Sequence, residues 1–188
     1  MIDTTLQTIA QELNSYFKRK YQLQENKVLL TSLIGESGTI PKENKNKVIL
    51  SLVNIAQEST HQYSPTYQAS ESNDSKLNPP LNFNIDLLFT PVFDDYKEAL
   101  KFLSATLQFF QAKTIFTPQN TPGLPENIQR LSFNLVTLNY NELQNLWTTL
   151  GANYSPSVLY KVRMFSLDDS TELEIKEIPS IKDVNTEK

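Results

Sequence analysis

The chain has 188 residues, a formal net charge of −4, one histidine and no cysteine. Disulfides, thiolate metal sites and cysteine nucleophiles are thereby excluded, and His61, the single histidine, leaves a zinc site or a Ser-His-Asp triad short of partners. The acidic balance opposes a phosphate-binding footprint, which needs clustered Lys and Arg, so no nucleic acid partner is expected, and no motif calls for a metal or a cofactor.

A single domain of this size buries about two thirds of its unfolded surface and needs no staple. No apolar run approaches the length of about 20 residues that spans a bilayer, and the N-terminus lacks the basic-then-apolar order of a signal peptide. The expectation is synthesis in the cytoplasm without direct membrane insertion.

In chain order, Ile2, Leu6, Ile9, Leu13, Tyr16 and Phe17 recur at helical spacing. Asp3 is placed to cap this first helix, and Lys18, Arg19 and Lys20 close it where the dipole favours cations. Residues 27–34 are apolar on both faces and read as a strand. Residues 35–46 are turn chemistry without the Gly-Lys-Ser/Thr of a phosphate loop, which predicts a hairpin. The next strand, carrying Val48, Leu50 and Leu52, is therefore expected to pair antiparallel with the first. Residues 59–80 are filled with Ser, Asn, Pro and Thr and read as a flexible arm. Tyr63 and Tyr67 are its candidate contacts, and His61 reads as a solvated loop residue.

Residues 81–111 organise the rest. Leu81, Phe83, Ile85, Leu87 and Phe89 alternate with polar residues as a strand does. After Pro91 the period changes, and Tyr96, Ala99, Leu100, Leu103, Leu107 and Phe110 form a helical stripe widened by Phe102 and Phe109. Asp94 and Asp95 stand at the positive end of that helix. One strand cannot cover so many apolar groups, so further sheet is required.

Between 113 and 130, Pro118, Pro122 and Pro125 rule out a central strand or helix, with Ile115 and Phe116 touching an edge. Leu131, Phe133 and Leu135 alternate in a fourth strand able to lie beside the third. Asn141 is expected to cap a helix with Gln144 three residues on, Leu143, Leu146, Trp147 and Leu150 on its apolar side and Gly151 as its left-handed stop. Residues 157–166 form a fifth strand. In the charged tail, Leu173 and Ile175 alternate and can add as a strand to their own sheet or a neighbour's.

The residues thus predict one α+β domain over 1–170, a mostly antiparallel or mixed sheet of about five strands covered by about three helices, with arms at 59–80 and 171–188.

Three blocks, residues 46–58, 81–111 and 138–164, together with the loop 120–125 (NTPGLP), resemble in content and order the cap, or tail-terminator, proteins of phage-tail-like contractile injection systems of the anti-feeding-prophage type. The resemblance covers most of the chain, which ends sooner than longer family members do. It implies a phage tail-terminator-like fold and a structural, non-enzymatic role. The implied subunit belongs to a probable hexameric ring at the distal end of inner tube and sheath, where it ends polymerisation and stabilises the extended sheath. Implied partners are copies of itself and the sheath and tube proteins of a virus-like particle, either released from the cell or held within it. An assembly factor or chaperone-like module absent from the finished particle is the alternative. Tyr63, Tyr67, Leu173, Ile175 and Ile178 are the candidate partner-interface residues.

Overall fold

The computed structural model describes residues 1–36, 38–58, 81–125 and 128–167. Their elements run α1 (Ile2–Tyr21), β1 (Val28–Leu30), β2 (Lys47–Gln57), β3 (Leu81–Val92), α2 (Tyr96–Ala112), β4 (Ile115–Phe116), β5 (Leu131–Val136), α3 (Tyr140–Leu150) and β6 (Val158–Leu167), with a short 3₁₀ turn at Lys42–Asn44. The architecture is α+β, a mixed sheet of six strands in the order β1-β2-β3-β6-β5-β4.

The stretch 81–111 is central, as its pattern predicts. β3 pairs antiparallel with β2 on one side and β6 on the other. Its inward residues Phe83, Ile85, Leu87 and Phe89 are buried in the same core as Leu6, Ile9, Leu13 and Phe17 of α1 and Phe102, Phe109 and Phe110 of α2. Both helices therefore cover one face. Register shifts next to Val53 and Asn84 mark bulges in β2 and at the β3–β6 pairing; such bulges bend a sheet and increase its twist.

Helix ends follow local chemistry. Asp95 caps α2 by accepting from the Lys97 backbone N–H at 2.9 Å. Tyr96 and Leu100, expected on the buried stripe, are 62% and 37% exposed, because the buried face of α2 runs through Ala99, Phe102, Ala105, Thr106, Phe109 and Phe110 and leaves them outside it. Asp3 does not cap α1. Its carboxylate takes the N-terminal ammonium at 3.0 Å, and that hydrogen bond holds its pKa below the usual value. α3 begins earlier than expected, at Tyr140, because Asn139 rather than Asn141 forms the capping box, with Glu142 as its other member. Gly151 ends α3 at φ 64°, the left-handed conformation its position predicts.

Two pairings differ from the sequence expectation. β1 runs parallel to β2, with Val28 opposite Val48 and Leu30 opposite Leu50, so residues 31–46 are a crossover and not a hairpin. Two interactions draw that segment across the sheet: Leu33 packs with Ile49 and Trp147 on the face opposite α1 and α2, and buried Asn44 donates to the carbonyls of Ser32 and Leu33. The strand expected over 27–34 is correspondingly short. β5 lies beside β6 and not beside β3, since β6 returns to occupy the edge of β3. A sixth strand, β4, arises where Ile115 and Phe116 pair with β5 at the sheet edge.

Asn14 ties α1 to β1. Its side chain accepts from the backbone N–H groups of Lys27 and Val28 at 2.8 and 2.7 Å and donates to the Val28 carbonyl at 3.0 Å. On the other side, Thr8 donates to the Gly123 carbonyl at 2.9 Å, docking the 120–125 loop on α1. Gly123 holds φ 98° there, a conformation costly for any residue with a Cβ.

Tyr160 stands in the core against the rings of Phe89, Phe110 and Phe133. Burial pushes its pKa up from 10.0 to about 12. Below the unfolded value the phenol is protonated in both states, and its contribution to stability is complete. Between 10.0 and about 12 the unfolded chain ionises first, so stability falls as pH rises through this window. Urea titrations of the parent and Tyr160→Phe should therefore diverge in that alkaline window, with the parent losing stability more steeply. Parallel curves would remove the assignment.

Candidate interaction surfaces

The candidate contacts Tyr63, Tyr67, Leu173, Ile175 and Ile178 lie outside the described residues, as does His61. The described residues present two other surfaces.

The first is an open sheet edge. β1 pairs β2 only over Val48–Leu50, and the contact ends with the Thr31 N–H on the Leu50 carbonyl and the Ser51 hydroxyl on the Thr31 carbonyl. Beyond it, residues 52–57 of β2 are bonded to β3 alone among the described residues. Leu52 and Ile55 on this stretch are 37% and 52% exposed. At its head lies a hollow of about 320 Å³ lined by Leu30, Leu33, Leu50, Leu52 and Leu150. An edge whose backbone groups have no partner among the described residues, beside a hollow whose leucines are joined by Ile34, Thr31, Ser32 and Ser51, suits an added strand, because main-chain bonds supply affinity and side-chain pockets supply register. The opposite side of the sheet has a shorter open stretch: β4 pairs only with Leu131 and Ser132, and Leu135 is 54% exposed.

The second surface is a cleft of about 350 Å³ where α3 meets the loop that follows it, lined by Tyr140, Leu143, Gln144, Trp147, Ala152 and Tyr154 among others. Trp147 is core, as its helical position predicts, at 4% exposure, and it packs with Leu33 and Ile49. Its Nε1 is enclosed and has no acceptor among the described residues. Tyr140 opens α3 at the helical spacing of Leu143 and Trp147, and Tyr154 lies beyond the end of the helix; they are 90% and 63% exposed. Periodicity does not mark them as surface residues, since Tyr140 shares the spacing of the apolar stripe and Tyr154 lies outside it.

The remaining electrostatics are local. Hydrogen bonds from Lys27 and Lys47 hold the Glu25 carboxyl below its usual pKa, and a hydrogen bond with Tyr16 raises that of Lys20. Lys113 joins Glu12 of α1 at 2.9 Å while sitting over the Phe116 ring, a strut between helix and edge strand. The described residues contain no group of three or more His, Asp or Glu able to hold a metal ion, and none of their helices is long and apolar enough to cross a membrane.

The fold itself has a counterpart. Over 100% of this chain and 64% of the other, at 13% identity and a TM-score of 0.55, it is similar to the sheath/tube terminator of an extracellular contractile injection system, PVC, solved in the extended state. A second similar structure is the anti-feeding prophage tube-terminating cap, with 14% identity, 98% and 61% coverage and a TM-score of 0.48. The fold is thus shared with the first of these structures, and the chain spans less than two thirds of the length of either solved chain. Residues 4–178 match the Pvc16 N-terminal domain, and the chain belongs to that family. Comparison with curated proteins gives no match.

Proposed function

We propose that this chain is a structural subunit of the terminator of a contractile injection system. It closes with copies of itself into a ring, most simply a hexamer, on the distal end of inner tube and sheath, stops their growth and holds the sheath extended. Its work is binding without catalysis. The observation that carries this reading is the Pvc16 N-terminal domain match over residues 4–178, supported by a terminator-like fold along the whole chain. The subunit is made and assembled in the cytoplasm, on a particle that is then released or retained.

The physics of the role asks for two unlike surfaces. A closed ring needs a heterologous contact between neighbours, and growth stops when the outer face no longer copies the surface that recruits the next layer. The sheet offers unlike open edges, residues 52–57 on one side and the end of β5 on the other. In our reading the arms at 59–80 and 171–188 make the joins, with Tyr63 and Tyr67 in one and Leu173, Ile175 and Ile178 in the other. The alternating residues of the second arm add to the open β2 edge of a neighbouring subunit, with one side chain in the hollow beside Leu52.

Hydrogen exchange on purified particles, read by mass spectrometry, tests this. Peptides of this chain should be present, and exchange over 52–57 and 171–178 should be slower than in the free protein. Absence of the chain from particles would leave the assembly-factor reading instead, and equal exchange in both states would remove the arms from the interface.

A further inference from the structure

We propose that in the free subunit residues 173–178 close on the open β2 edge of their own chain, antiparallel to it, and leave it only when a neighbouring copy's segment takes their place. The exchange rests on the terminator reading; the closure does not. Where the chain leaves the sheet carries the inference. Gln57 at the end of β2 and Phe165 near the end of β6 stand opposite Phe83 from its two sides, so the chain beyond Leu167 departs from the same end of the sheet at which β2 is open. A strand added outside β2 lies three strand spacings from β6, roughly 14 Å, and residues 168–172 span roughly 17 Å when extended. Leu173 can therefore reach the side of Gln57.

Direction and length fit as well. β6 and β2 both run antiparallel to β3, so a chain that turns back after β6 runs antiparallel to β2. The open stretch extends from Leu52, past the end of β1, to Gln57. The alternating segment is equally long, from Leu173 to Ile178, and Pro179 then stops any ladder because it has no N–H to give. With Leu173 opposite Gln57, Ile175 falls opposite Ile55, and directly opposite residues share a face, so it covers a side chain that is 52% exposed. Lys176 falls opposite Asn54, whose amide donates to the Asp86 carboxylate at 3.0 Å, and sets a cation on the face that carries this acid. Ile178 arrives at the level of Leu52, where the hollow begins.

Tethering decides between the chain's own segment and a second copy's. Joined by so short a linker, the segment meets its own edge at a local concentration on the order of millimolar, above that of free subunits in dilute solution. Closure hides an edge that would otherwise pair with any extended chain, which suppresses association of free subunits. A single short edge strand is held by few contacts and opens readily, so exchange over it is slowed in the free chain and slowed further in the particle. When several subunits are gathered on the tube end, the segments trade places, the exchange of an identical element between protomers.

Hydrogen exchange of the full free chain, without particles, tests the closure. Ile175→Asp places a charge opposite Ile55 and should speed exchange of peptides over 52–57 roughly five-fold or more, while peptides of β3 and α2 keep the parent's rates. Ile175→Val, which keeps an apolar branched side chain, should behave as the parent does. The rates over 52–57 should be the same at every protein concentration. Rates over 52–57 that are equal in Ile175→Asp and the parent would overturn the proposal. Protection that grows with protein concentration would also overturn it, because the strand would then come from a second copy. None of these outcomes bears on the terminator reading, which stands or falls on the presence of the chain in particles.

Discussion

Replacing Phe110 by alanine is expected to remove a large share of the protein's stability. The ring is 1% exposed and lies within 6.1 Å, centroid to centroid, of Phe89, Phe109, Phe116, Phe133 and Tyr160. It is where α2 is keyed to β3, β4, β5 and β6 at once, so the neighbours cannot collapse into the space without moving several elements together. Truncating a buried phenylalanine costs roughly 3–5 kcal/mol, and for a chain of this length that corresponds to a fall in melting temperature of roughly 6–20 °C. Leu100→Ala, on the solvent side of the same helix at 37% exposure, supplies the control and should cost roughly 1 kcal/mol or less. Thermal melts followed by circular dichroism decide the matter. A Phe110→Ala melt indistinguishable from that of Leu100→Ala would mean that the aromatic cluster is not the centre of the fold.

That cluster was largely legible before any coordinates. The alternation from Leu81 to Phe89 and the helical stripe that follows it identify the central strand and its covering helix, and the prolines at 118, 122 and 125 correctly confine Ile115 and Phe116 to an edge. The strand neighbours were not legible. Whether residues 31–46 turn back or cross over depends on Leu33 reaching Ile49 and Trp147 and on the buried amide of Asn44, contacts between distant parts of the chain that a local turn signal does not encode. The position of β5 beside β6 is non-local in the same way. The spacing alone puts the cap of α3 at Asn141, two residues late, because Asn139 and Asn141 offer the same chemistry and only the reciprocal bond with Glu142 distinguishes them.

Interaction surfaces were harder to read than the core for a related reason. Leu52 and Ile55 look like ordinary members of a strand, and they become an exposed edge only because β1 stops at Leu30. Tyr140 shares the helical spacing of Leu143 and Trp147 and is nevertheless exposed, and Tyr154 lies beyond the end of α3. Residues 59–80 and 171–178, by contrast, stand out in composition, the first poor in aliphatic residues and the second alternating, yet composition does not name a partner.

The second large effect concerns assembly. A subunit that occupies the last binding surface of tube and sheath acts by geometry, since it presents one face that mates and another that does not propagate. Leaving it out removes the stop and the clamp together, while an assembly factor or an enzyme would leave the polymer end unchanged once particles had formed. The measurement is the distribution of tube lengths and the fraction of extended sheaths, counted by electron microscopy in particles assembled with and without this chain. The account predicts broad, uncontrolled tube lengths and contracted or unravelled sheaths in its absence, restored when the chain is supplied. Particles of unchanged length with stably extended sheaths would contradict it.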